Sequence, residues 1–463
     1  MGNVIPQESA PQGANPDTSQ DPTVTPAGNA GTTAGTTAGP QGGTPPGGGT
    51  DPTPTPPSTP TPGSGFVYVM SNQETGNSVT VFNRSVYGDL TRGGTFVTGG
   101  LGVGKSYDLE AASDPMVSQG SLIASPDQRF LLAVDAGSNE VSSLAIEGDQ
   151  LRLVTRVPSG GVRPVSLTVH GDLVYVVNAG GLPPNTPPNP DAVIAGFTLG
   201  EDGTLTPLEG SVKPLLGGPA AGPSQIAFTP DGTQLIVTER QTNIIDVFLI
   251  DGCGLPGDPV RNESNGPAPF TASFQGEDVL LVTEIIGVNF TYGSLSTYRL
   301  SPDGKLTVIS GSVNTTERTA CWTADSVLDP SITYIANNQS GTVSGCRFAE
   351  DGSITMFPED GHLVTARDQH ATQDMAITND GRFLYVLTAG YDEKIVDPRL
   401  PTYVEGSPYS NRMSISAYRI EANGSLTALT GYAVADEPPT VASVGLLELQ
   451  TGIAPGSEGL VAI

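Results

Sequence analysis

The sequence predicts an all-β protein, a closed ring of repeated four-stranded units, and three observations predict it. Glycine (59) and proline (41) are abundant and Val, Ile, Thr and Tyr fill the apolar runs, a composition that favours short strands joined by tight turns over long helices. From Phe66 onward one cadence recurs: an alternating strand, a polar turn, a continuous apolar strand and a polar stop. The stops fall at Asp135, Asn178, Glu239, Glu284, Asn337 and Thr388, and where loops are short they lie about 45 residues apart, the length of one blade of a β-propeller.

Taken in order, residues 1–65 contain no aromatic residue, Leu, Lys or Arg and end in "TPTPPSTPTPGSG". Such a segment cannot bury enough apolar surface to offset the entropy of ordering it, so a disordered tether is expected there. Residues 66–463 form the propeller domain. It opens with "FVYVMSN", "NSVTVFNR" and "LTRGGTFV", which supply a second, third and fourth strand but no inner one. Six complete units follow, from Gln119 to Tyr432, of which "SQIAFTPDGTQLIVTERQTNIIDVFLI" and "DMAITNDGRFLYVLTAG" are representative pieces. Asp-Gly and Asn-Gly steps such as "GEDGTL", "SPDGKL", "AEDGSI" and "EANGSL" mark the hairpins between third and fourth strands. The C-terminal "PTVASVGLLEL" is expected to supply the missing inner strand and close a seven-bladed β-propeller, since pairing the chain ends removes exposed sheet edges.

The net charge of −28 would repel a polyanion over the whole surface, so nucleic acid is excluded as a partner. No apolar run is long enough to span a bilayer. Cys253, Cys321 and Cys346 have neither metal-site spacing nor an even count and read as buried free thiols. The Thr-Pro tail resembles the linkers of exported proteins, and N-x-S/T sequons occur at Asn83, Asn262, Asn289, Asn314, Asn338 and Asn423. Both features point to an extracellular or cell-envelope location, and a monomer is expected.

Three insertions, 181–192, 286–294 and 391–412, lie between second and third strands, whereas the first-to-second turns stay tight. Loop elaboration confined to one face marks it as the binding face. Near the axis on that face the pattern gathers the polar stops with the beginnings of the inner strands. Glu239 and Glu284, on successive blades, are candidate catalytic carboxylates, because partial desolvation raises a carboxyl into the working range of a general base. Arg163 is the candidate for holding an anionic group or a developing oxyanion. Asn178, Gln225, Trp322, Gln373, Asp374 and Arg240 are the candidate substrate-binding residues. An alternative role for Glu239 and Glu284 is a rim charge network with Arg240 and Arg163. No cofactor is required; Ca²⁺ held by Glu239, Asn178 and Asp135 is compatible with these oxygen ligands.

The repeats "ASPDQRFLLAVDAGSNEVSSLAI", "FTPDGTQLIVTERQTNIIDVFLI" and "TNDGRFLYVLTAG", with "PSGGVRPVSL" between blades, resemble the seven-bladed lactonase propellers, a group that includes 6-phosphogluconolactonases and fungal carboxymuconate-lactonizing enzymes. The resemblance spans 66–449. It implies a hydrolase or cycloisomerase acting on a small lactone, anionic where Arg163 is used, with no redox cofactor. The glutamate that the family carries after the second strand of a middle blade matches Glu239, in a Thr-Glu step where the family shows Asn-Glu. Where the family has Pro-His this chain has Arg163-Pro164-Val165, and where it has Arg-His this chain has Ser224-Gln225. A non-catalytic secreted propeller that binds a glycan or protein through its inserted loops is the competing reading.

Overall fold

The continuous apolar runs become the second strand of each unit. Phe130–Asp135, Gln234–Glu239, Val279–Glu284 and Ile332–Asn337 are buried along their whole length, because each has a paired strand on either side and a neighbouring sheet against each face. The structure, a computed structural model, describes residues 63–104, 115–181, 190–286, 292–366, 371–389, 413–429 and 457–463. The expected tether and the middle of each of the three insertions lie outside them.

Seven antiparallel sheets result, each with its inner strand at one edge. Blade 1 combines Gly65–Met70, Ser78–Arg84 and Leu90–Val97 with Leu460–Ala462. The inner strands of blades 2 to 7 are Leu122–Ala124, Pro164–His170, Pro223–Phe228, Pro269–Gln275, Ala320–Asp325 and Ala371–Ile377. Among the described residues the only helical element is the 3-10 turn Gly218–Ala220.

The ring closes with a C-terminal strand, but a later one than "PTVASVGLLEL" suggests. Leu460–Ala462 pairs antiparallel with Val67–Val69, and Phe66 and Ile463 exchange backbone bonds of 2.9 Å in both directions. Leu460 and Ala462 join Val67, Val69, Phe383 and Tyr385 in one core cluster, so apolar burial is coupled to closure. Residues 439–449 lie outside the described residues.

Adjacent blades are also fastened at their periphery. Second-strand tyrosines reach the hairpin turn of the next blade: Tyr175 Oη donates to Gly254 O (2.7 Å), Tyr334 Oη to Gly424 O (2.9 Å) and Tyr385 Oη to Gly88 O (2.7 Å). Each buried ring thereby keeps a partner for its hydroxyl. The receiving glycines have φ of 81°, 85° and 91°, a region that penalises a β-carbon. Of the thiols, Cys321 and Cys346 are buried as expected, but Cys253 is exposed because it sits in the tight turn that Asp251 organises through the Cys253 amide (2.8 Å). Among the sequons, Asn314 and Asn423 are exposed, whereas Asn262 and Asn338 are buried with their amides bonded to backbone carbonyls.

Candidate functional site

The polar stops end the second strands and are all buried. Asp135, Asn178, Glu239 and Glu284 fasten the loop that arrives from the preceding blade, whereas Asn337 and Thr388 bond the third strand of their own blade. Glu284 Oε1 accepts from Gly266 N (2.8 Å) and Ser296 Oγ (2.5 Å), and Oε2 from Ser312 Oγ (2.8 Å) and Ser294 Oγ. Asp135 accepts from Asn77 Nδ2 (2.9 Å), Thr98 Oγ1 (2.6 Å) and Ser142 Oγ (2.5 Å), while burial raises its pKa. Asn178 Oδ1 accepts from Ser159 Oγ (2.6 Å) and its Nδ2 donates to Ser159 O (3.1 Å). Buried backbone and hydroxyl groups at blade junctions need partners, and these side chains supply them. Glu284 and Asn178, expected at a substrate funnel, are thus occupied with their own junctions.

Glu239 follows the same plan with a different neighbour. Its Oε1 accepts from Gly217 N (2.9 Å), and Thr242 Oγ1 donates to Oε2. On the third strand, register places Asp246 opposite Val237 and Ile244 opposite Glu239, so the two carboxyls are diagonal neighbours on one face. Both are fully buried. Asp246 Oδ2 accepts from Leu216 N (3.0 Å). Desolvation first, and then Glu239, push the Asp246 carboxyl up to about 8. Asp246 is the one acid in the third strand Ile244–Leu249, and local apolar periodicity does not single it out.

At the axis, the inner edges of the sheets present backbone groups that need partners, and several expected ligand-binding residues provide them. Gln119 reaches across the ring: its Nε2 donates to Thr323 O (3.1 Å) and its Oε1 accepts from Thr323 N (2.9 Å). Gln225 Oε1 accepts from Ala272 N (2.7 Å), and Asp374 Oδ2 from Leu460 N (3.0 Å). Trp322 is buried, with its Nε1 donating to Ser118 O (2.9 Å) and its ring edge-on to Phe270 at 5.3 Å. Residues 118 and 119 therefore cross the axis and tie blade 2 to blade 6. Gln225, Trp322 and Asp374, candidate substrate-binding residues, each bond a strand or segment of another blade. Gln373 is fully buried, and neither end of its amide has a hydrogen-bond partner.

Arg163 stands apart. It occupies the left-handed turn, φ 58°, that precedes the inner strand of blade 3, and the matching turns hold Val117, Gly222, Ala268 and Thr319. Among these five, Arg163 alone is charged. Its backbone amide donates to Asn139 Oδ1 (2.7 Å), which fixes the turn. The side chain is half-buried, and its Nε is buried without an acceptor. Burial, reinforced by the neighbouring charge of Arg240, lowers its pKa. Arg240, next in sequence to Glu239, is half-buried too, and its amide donates to Gly222 O (3.2 Å). Two guanidinium groups brought together this way favour an anion beside them.

The three oxygen ligands compatible with Ca²⁺ are each engaged at a blade junction. Asp135, Asn178 and Glu239 lie on three different blades, each bonded to its own loop, and among the described residues no group of three or more His, Cys, Asp or Glu side chains is placed to hold a metal ion. Nor, among the described residues, is any helix long and apolar enough to cross a membrane.

Comparison with known proteins agrees with this architecture. The family model described as lactonase, 7-bladed beta-propeller, matches residues 60–180. A 6-phosphogluconolactonase of Yersinia pestis (strain Pestoides F) is 22% identical over 365 residues, covering 71% of this chain and 99% of that protein. The counterpart from Yersinia enterocolitica is 23% identical over 268 residues, 57% of this chain and 72% of that protein. Among solved structures, the periplasmic gluconolactonase PpgL of Pseudomonas aeruginosa is similar with a TM-score of 0.56 and 14% identity, covering 79% of this chain and 95% of that one. A protein from Lactobacillus plantarum gives 0.54 and 16%, covering 79% and 94%. At these identities the solved structures speak to the fold alone.

Proposed function

From a chain that resembles the seven-bladed lactonase propellers in sequence and fold, we propose a lactonase-like activity on a small anionic lactone, bound at the axial mouth where Arg163 and Arg240 meet. The observation that carries this reading is Arg163, a half-buried guanidinium with an unpartnered Nε and a second arginine as neighbour. An anionic group on the substrate would relieve the like-charge contact and take up the free N–H. Hydrolysis of a lactone adds water to the carbonyl carbon with loss of a proton to solvent, places negative charge on the carbonyl oxygen, and then breaks the ring C–O bond, whose oxygen takes up a proton from solvent to give a hydroxy acid. A guanidinium aimed at that oxygen stabilises the charge as it develops. In this reading Glu239 holds Gly217 and Thr242, and so positions Arg240 from below; it does not act as the base.

The reading is tested with a panel of neutral and anionic lactones. Arg163→Ala should lower kcat/KM on anionic lactones by about 100-fold or more, with a smaller loss on neutral ones. Undiminished turnover in Arg163→Ala removes the arginine from the site. An absence of turnover by the wild type on every lactone would favour the competing reading of a non-catalytic propeller that binds a glycan or protein through its loops. Glu239→Gln separates positioning from proton transfer, because the amide keeps its acceptor oxygen but cannot serve as a base.

A further inference from the structure

The repeats themselves show what belongs beside a polar stop. At the third-strand position that Asp246 fills in blade 4, register places Ser142 in blade 2, Ala195 in blade 3, Ser296 in blade 5, Ser344 in blade 6 and Ser416 in blade 7. In blades 2 and 5 the serine hydroxyl donates to the stop carboxylate, Ser142 to Asp135 and Ser296 to Glu284. In blade 4 the stop is again a buried carboxylate, Glu239, yet the donor position holds another acid. Asp246 Oδ2 takes the Leu216 amide, while Oδ1 is buried and receives no hydrogen bond. A carboxylate oxygen without a donor, facing a second carboxylate in a dry interior, is strongly disfavoured. The same oxygen as a hydroxyl is satisfied, because it then has an acceptor in Glu239.

We propose that Asp246 is held as the neutral acid, its Oδ1 hydroxyl donating to Glu239 where other blades use a serine, and that this shared proton latches the 215–222 loop onto blade 4. The loop hangs from the pair at two successive amides, Leu216 on Asp246 and Gly217 on Glu239. It then passes through the turn Gly218–Ala220 and receives the amides of Arg240 at Gly222 O (3.2 Å) and Gln241 at Ala221 O (3.2 Å). The charged groups that face Asp246 are Glu239 on the second strand and Arg261 opposite it on the outer strand, and the loop contributes only backbone amides. Arg261 is exposed and paired with Glu263 (2.7 Å), which limits its compensation of a second buried charge. Loss of the proton leaves two adjacent buried anions, and the loop is the one element that can open to hydrate them. The blade 4 mouth that carries Arg240 is therefore a pH-responsive element, whatever ligand it serves.

Blade 5 is the internal control, because the Gly266 amide hangs on Glu284 in the same way but amid serines. Amide hydrogen exchange, corrected for intrinsic rates, is followed on the full chain from about pH 6 to about pH 10. Protection at Leu216 and Gly217 should fall about tenfold per pH unit up to the closed-state midpoint near pH 8 and level off above it while Gly266 stays unchanged, and Asp246→Asn, which keeps the acceptor for Leu216 and can donate to Glu239, should abolish the fall. In the wild type the infrared C=O stretch of a neutral carboxyl should persist at neutral pH and disappear with the same midpoint. Equal behaviour of Gly217 and Gly266 throughout, a fall that survives in Asp246→Asn, or no neutral-carboxyl band titrating with that midpoint would each overturn the proposal.

Discussion

Blades 4 and 5 reach the same place with the same residue and solve it differently. Glu284 is surrounded by four donors, three serine hydroxyls and one amide, so both of its carboxyl oxygens are fully partnered. Glu239 has one amide, one threonine hydroxyl and an acid. A carboxylate with enough donors behaves as a fixed fastener, whereas one that shares a proton becomes a fastener that pH can undo. The blade with the titratable fastener also carries Arg240, beside Arg163. The titratable fastener and the proposed binding mouth thus fall on the blade whose third strand carries an acid where blade 5 has a serine.

The comparison breaks most visibly at Glu284. Glu284→Ala strands three hydroxyls and the Gly266 amide in the interior and should cost about 4 kcal/mol, measured as a lowered midpoint in denaturant unfolding. A cost below about 1 kcal/mol would mean that water enters the blade 5 junction and that the serine cradle is not what stabilises it.

A second, smaller effect sharpens the contrast. The Asp246 pKa is raised from 3.8 to about 8, so the folded state holds a proton that the unfolded chain releases. The stabilisation is complete below the unfolded value and is lost as pH rises through the folded one. Between those limits wild-type stability should fall with pH more steeply than that of Asp246→Asn, by up to about 1.4 kcal/mol per pH unit. Parallel stability curves for the two proteins would show that Asp246 is ionised in the folded state.

Which features were legible in the sequence depends on how far apart the interacting groups lie. The cadence of strands and Asp-Gly turns is local, so the seven-bladed ring and its four-stranded sheets follow from period and turn chemistry alone. The closing strand escaped recognition because three paired residues, Leu460–Ala462, leave too short a pattern. The polar stops were legible as strand ends but not as junction fasteners, since their donors come from distant loops such as Thr98 for Asp135 and Gly266 for Glu284. The cross-axis bonds of Gln119 could not be read from local pattern, because its partner Thr323 is 204 positions away. Arg163 was legible through its charge at the start of an inner strand, and its left-handed turn and neighbour Arg240 add the electrostatic setting. Asp246 carries no local mark, because only third-strand register sets it beside Glu239 where other blades place a serine.

The smallest expected effect tests whether the blade 4 proton senses charge at the surface. Arg261 stands opposite Asp246 on the outer strand and favours ionisation of the buried acid through its charge. It is exposed and already paired with Glu263, so water and salt screen most of its field. Arg261→Gln should therefore move the alkaline midpoint for loss of Gly217 protection upward, by less than about half a pH unit. High salt should shift the wild type in the same direction and leave the variant nearly unmoved, since there is little left to screen. Because Asp246→Asn lacks the titrating group, adding Arg261→Gln to it should change nothing at Gly217. A downward shift in Arg261→Gln would mean that the outer strand reports on Glu263 more than on the buried pair, and the electrostatic distinction between blades 4 and 5 would then have to be sought at the periphery of the sheet.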